Sequence, residues 1–127
     1  MIQKSGERGS AVVDFILVSI PLLAVFFWTL SVTQTAYLRN VLLDAAVEGS
    51  RSAALADGTE AGAVLKTKQV LNLALGGDLN AEVLAGFEQH GTLRVSRVEI
   101  IAQVPMAGLL PINSTIRVVA DASNELQ

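Results

Sequence analysis

At 127 residues the chain holds one domain at most, and subtracting a membrane segment would leave under ~100 residues for anything globular. Hydrophobic residues make up 51% and charged ones 17%, too apolar a balance for an ordinary soluble domain of this size. The net charge of −3, with Lys and Arg scattered along the chain, excludes a basic nucleic-acid surface, and the absence of cysteine excludes a disulfide framework, a thiolate metal site and a thiol nucleophile.

The first eight residues, MIQKSGER, are polar and set Lys4 and Arg8 against Glu7. Gly9 follows, then an apolar run from Ala11 that a single carboxylate, Asp14, interrupts directly before Phe15. An ionised carboxylate on the apolar side of an interface is costly, so it calls for a partner. The plainer alternative is an acid lying in the headgroup region, or one favoured at a helix N-terminus by the dipole.

From Phe15 to Leu38 no side chain is charged. As a helix these residues would extend about 36 Å, enough to cross a bilayer with some tilt. Ile16, Leu17, Leu22, Leu23, Val25, Phe26 and Phe27 make every face of this helix apolar, whereas a surface helix of a soluble protein keeps a polar side. Pro21 removes one backbone hydrogen bond, which is expected to loosen the helix around Leu17, with Ser19 as a nearby donor. Tyr37 beside Arg39 suits the outer interface, whereas Trp28 sits deeper. A secretory signal peptide fits less well, because the block is longer than such cores and a cut after Ala36 would put Gln34 where a small residue is needed. Lys4 and Arg8 favour a cytoplasmic N-terminus, although Arg39 and Arg51 on the other side weaken the bias.

Beyond Arg39 the helix is expected to continue to about residue 56. Leu38, Val41, Leu42, Ala45, Ala46, Gly49, Ala53 and Leu55 recur in steps of three and four, with Asp44, Glu48 and Arg51 off that face. The face should carry the small domain or a partner helix; in an isolated 40–127 fragment, Val41, Leu42, Ala45 and Ala46 are expected to be exposed. Asp57-Gly58 ends this helix and Thr59 can cap a second, with apolar positions Val64, Leu65, Val70, Leu71 and Leu75, that stops at Gly76-Gly77.

After Gly77 the period becomes two. Leu79, Ala81 and Val83 alternate; so do Leu93 and Val95, then Val98, Ile100, Ala102 and Val104 after a shift of phase near Ser96; Ile116, Val118 and Ala120 follow. This predicts three strands, the middle one bulged or bent at Ser96. Gln89-His90-Gly91 is expected to turn the first hairpin, and PMAGLLPIN, between Pro105 and Pro111, to join the last two strands. The residues from Ser123 are expected to fray. The fold class is therefore α+β: a long N-terminal transmembrane helix continuing into an amphipathic half, a second short helix, and a small antiparallel sheet.

Residues that could carry chemistry are few. His90, the single histidine, is expected on the surface at a turn, and no further nitrogen or sulfur metal ligand of the usual kind accompanies it. Glu82, Glu88, Glu99 and Asp121 on short strands read as solvated faces, and Gly76-Gly77-Asp78 lacks a phosphate-loop pattern. No cofactor, metal, nucleic acid or small-molecule substrate is expected, and no enzymatic activity. Leu109 and Leu110, between prolines, either cover the end of the small core or form a contact patch.

The opening ERGSAVVDF resembles that of the TadE-like pseudopilins of the tight-adherence (Tad, or Flp) type IV pilus system. In type IV prepilins a basic leader ends in glycine, and the fifth residue after the cut is acidic and precedes phenylalanine and a long apolar helix. A cut between Gly9 and Ser10 makes Asp14 that fifth residue and Phe15 the sixth. Tyr37, Arg39, Asn40, Ala45, Ala46, Gly49 and Arg51 follow the family's continuation, and EIIAQVPMAGLLPINSTIRVVADASNE resembles its closing strands. The likeness spans residues 7–56 and 98–125. One departure is Asp14, where the family usually has glutamate.

The resemblance implies a leader over residues 1–9, a transmembrane helix over 10–38 and a small extracytoplasmic domain over 39–127. It implies a single-pass protein of the cytoplasmic membrane, N-terminus inside, whose partners are membrane lipid, prepilin peptidase, other pilins or pseudopilins and the pilus assembly machinery. Removing the leader would free an α-amino group at Ser10, cationic near neutral pH, that Asp14 of a neighbouring subunit could neutralise to set axial register. The alternative is an unprocessed bitopic protein whose extracytoplasmic domain binds a partner or the cell wall.

Overall fold

Two helices and three strands follow in the order α1 (Glu7–Ala54), α2 (Glu60–Leu75), β1 (Ala81–His90), β2 (Leu93–Pro105) and β3 (Asn113–Glu125) in the computed structural model, which describes residues 7–55, 57–77, 80–105 and 113–125. The α+β class expected from the sequence is the class observed.

The first half of α1 is exposed on all sides, with Phe15, Leu17 and Trp28 each at least 70% accessible. Its hydroxyls do not add polar surface. Ser19, Thr29, Ser31, Thr33 and Thr35 each donate to the carbonyl four residues back, at 2.7–2.9 Å, so their hydrogen-bonding needs are met within the helix. Pro21 lies inside the helix. The Ser19 hydroxyl serves the Phe15 carbonyl and not that of Leu17, whose usual donor Pro21 lacks, so the expected compensation by Ser19 is corrected.

The second half of α1 buries one stripe. Leu42, Ala45, Ala46, Gly49, Ser50 and Ala53 face the sheet and α2, while Asp44, Glu48 and Arg51 stay exposed on the other side. This settles what the amphipathic face carries: the chain's own domain. The expectation that Val41, Leu42, Ala45 and Ala46 form an exposed stripe in a 40–127 fragment is overturned, since Leu42, Ala45 and Ala46 are fully buried and Val41 packs against the same core.

A short turn reverses the chain into α2, where the Thr59 side chain accepts from the Gly62 amide at 3.1 Å. At the other end Gly76 caps in the left-handed region at φ 69°, its amide bonded to the Asn72 carbonyl. Ala63, Thr67 and Leu71 are the buried residues of α2. Leu65, expected on the inner face, is 70% exposed, because the crossing with α1 centres on Ala63 and Thr67, two positions to either side. The crossing is close. A Cβ on Gly49 would lie 1.9 Å from the Thr67 hydroxyl oxygen and 3.2 Å from the Ala63 carbonyl oxygen.

The sheet has the order β1-β2-β3 with antiparallel neighbours. Its register runs without a slip from Ala81↔Ala102 to His90↔Leu93 and from Leu93↔Glu125 to Pro105↔Asn113. No bulge interrupts β2, so the bend expected at Ser96 is corrected. Ser96, Val98, Ile100, Ala102 and Val104 form one continuous inward face, and Leu93 and Val95 belong to the outward one. The shift of phase was a serine in a core position: its hydroxyl donates to the Ser50 carbonyl of α1 at 2.5 Å. The first hairpin turns at Gly91-Thr92, with exposed His90 the last residue of β1, and β3 stays paired through Glu125 and does not fray at Ser123. Helix α1 lies over β2 and β3, and α2 over β1.

Candidate membrane and assembly site

The sequence places four candidate residues at the start of α1. Gly9, Ser10, Asp14 and Phe15 are all helical and exposed, Phe15 at 73%. Helix α1 starts at Glu7, before the expected boundary at residue 10, so the proposed cut falls in its first turn. Nothing in the fold requires a glycine there: a Cβ added to Gly9 meets no atom within 4 Å, in contrast to Gly49. Ser10 and Asp14 stand one turn apart on the same face of the helix. Among the described residues no cation forms an ion pair with Asp14, so any compensating charge must come from elsewhere. Leu109 and Leu110 lie outside the described residues.

Helix α1 holds one window long and apolar enough to cross a membrane, and none of that window is buried by the rest of the protein. A soluble protein's core helix would be covered by its own chain; this one leaves the whole window to be covered from outside.

The strand carboxylates are not simple solvated faces. On the outer side of the sheet Arg97 reaches Glu88 on β1 at 2.7 Å and Asp121 on β3 at 2.8 Å, and Arg117 pairs with Glu99. Hydrogen bonding to Asp121, then the charges of Asp121 and Glu88, raise the Arg97 guanidinium above its already high ordinary value. The Arg97 contacts tie all three strands together at one level. Glu82 is exposed on β1. No cluster of metal-ligating side chains occurs among the described residues.

Three features escaped the sequence analysis: the Ser96–Ser50 tie between sheet and helix, the Gly49–Thr67 crossing and the Arg97 clamp. The first had a signal, a polar residue breaking an otherwise apolar alternation. The clamp needs strand register, which the sequence pattern does not supply.

The architecture is an α+β protein with one helix long and apolar enough to cross a membrane, whose small domain is built directly on the C-terminal half of that helix. Against known families, the model described as TadE-like protein matches residues 9–51, from Gly9 through the span to the buried stripe of α1. Over that stretch, about a third of the chain, it is similar to TadE-like proteins. No curated protein and no solved structure matches the chain.

Proposed function

We propose that the chain is a pilin-like assembly protein, a minor pilin or pseudopilin of a tight-adherence pilus, whose work is packing and not catalysis. Residues 10–38 hold it in the cytoplasmic membrane with residues 39–127 outside. Prepilin peptidase removes residues 1–9, and the freed helix joins other pilins or pseudopilins and the assembly machinery. The observation that carries this reading is the helix itself. One 48-residue helix is exposed over its apolar half, holds a lone carboxylate near its start, and is folded into a domain over its other half, with a TadE-like match spanning both.

Two further points support it. Gly9 has no steric role in the fold, which leaves recognition by a peptidase as a reason for the glycine. Asp14 has no cationic partner among the described residues, which leaves the α-amino group of a neighbouring subunit's Ser10 free to act as one. Leu109 and Leu110 are proposed as a contact loop on sequence grounds alone.

Asp14 gives the test. Asp14→Ala should leave membrane insertion and cleavage intact but abolish incorporation into the pilus complex, since removing one member of a buried ion pair costs about 3–5 kcal/mol. Asp14→Glu should be tolerated and Asp14→Asn impaired. Co-purification of Asp14→Ala with the assembly machinery at wild-type levels, together with normal piliation, would sink the register argument.

A further inference from the structure

Two independent sets of contacts fix which end of the domain faces the membrane. The first is the tie between Ser96 and Ser50. The inward-facing residues Val98, Ile100, Ala102 and Val104 all lie to one side of Ser96 along β2, and Val118 and Ala120 pair with them on β3. On α1 the buried residues Leu42, Ala45, Ala46 and Gly49 all precede Ser50, and only Ala53 follows it. Helix α1 must therefore run back from Ser50 over those strand positions, toward the end of the sheet where β2 stops and β3 starts. From Ser50 to Arg39 is about 16 Å of helix, and from Ser96 to Ala102 about 20 Å of strand, so both arrive at a similar level.

The second set lies between the helices. Gly49 meets Ala63 and Thr67, and the few residues between the end of α1 and the start of α2 leave only an antiparallel pair. From that crossing, Leu75 lies about 15 Å along α2, and Arg39 about 15 Å along α1 in the same direction. Leu38, Val41 and Leu75 pack against the same core. The end of α2, the start of β1, the end of β2 and the start of β3 thus gather where α1 leaves the proposed span.

The surface at this end differs from the rest of the domain. Among the described residues, 72–77, 80–81, 102–105 and 113–116 include no charged side chain. In the last turn of α2, Leu73 is 80% exposed, the most accessible of the large exposed hydrophobic residues in the described chain. The opposite end carries Thr92, exposed His90, and Arg94 stacked 3.7 Å over the Phe87 ring.

We propose that before assembly the domain rests on the bilayer through this end, with Leu73 in the lipid interface and Gln103 at headgroup level, instead of standing clear of it on a stalk. The occupant is phospholipid, because the surface is continuous with the emerging span and an exposed leucine beside it suits the boundary between headgroups and acyl chains. The proposal rests on residues 10–38 crossing the membrane, and its test separates the two claims.

The chain contains no cysteine, so single cysteines can be placed at will. Val25→Cys, Leu73→Cys, Gln103→Cys and Thr92→Cys all fall on exposed positions. Each full-length variant is labelled with a fluorophore and reconstituted in phosphatidylcholine–phosphatidylglycerol vesicles carrying a nitroxide quencher either on the headgroup or deep in the acyl chain. The expected result is loss of most fluorescence at Leu73 and Gln103 with the headgroup quencher, loss at Val25 with the deep quencher, and no loss at Thr92 with either. Quenching at Val25, with Leu73 and Gln103 as bright as Thr92, would overturn the resting domain and leave the span intact. An unquenched Val25 would overturn the span and the proposal with it.

Discussion

Two glycines separate structural from chemical necessity. Gly49 sits where α1 and α2 touch, and a methyl group there meets the Thr67 hydroxyl oxygen at 1.9 Å. Gly49→Ala should destabilise the domain by about 1–3 kcal/mol, the usual cost of overpacking, measured by denaturation of the detergent-solubilised chain. Gly9 is open on all sides, so Gly9→Leu should leave stability and membrane insertion unchanged while blocking leader removal. Equal yields of mature protein from wild type and Gly9→Leu would contradict the assignment of the cut. Ser96 makes a third case. Its hydroxyl is the polar tie between sheet and helix, and Ser96→Ala should cost about 1 kcal/mol, read from the same denaturation curves. Sequence periodicity flagged this residue but assigned it a bulge. Period-two patterns register polarity, and a hydroxyl that finds a helix carbonyl inside the core reads as outward-facing.

Helix α2 shows how elements are anchored at their ends. Thr59 caps it, and Thr59→Ala should lower stability by about 1 kcal/mol, with loss of protection from hydrogen exchange concentrated at the Gly62 amide. The limits of α2 were legible because caps are local chemistry, a threonine before the first turn and a glycine after the last. Its buried face was less so: Leu65 looks like a core residue but the close crossing selects Ala63 and Thr67 instead. In the sheet, Arg97 links all three strands from the solvent side. Because its guanidinium titrates above its ordinary value, the interaction is present at all lower pH values at which the carboxylates stay ionised. On the basic side it is lost only as pH rises through the folded arginine's own titration. Exposed pairs of this kind are weak and screened, so Arg97→Gln should shift the unfolding midpoint little, and less at high salt than at low salt.

For the molecule as a whole, the division of α1 into an exposed apolar half and a domain-bearing half is written in the sequence as a change from uniform to amphipathic hydropathy. The long helix, its partner helix and the three strands were legible for that reason. The direction in which the domain lies along α1 was not, since it depends on the contacts of Ser50 with Ser96 and of Gly49 with Thr67 between distant segments. The functional account joins this architecture to the start of the helix, where among the described residues Gly9 has no steric neighbour and Asp14 no cationic partner. If the chain is a pilin-like assembly protein, Gly9 acts when the leader is cut, and Ser10 and Asp14 act after its removal. Intact-mass measurement of the protein extracted from its native membrane tests this most directly: the account predicts a product beginning at Ser10, and a product that retains residues 1–9 would contradict it.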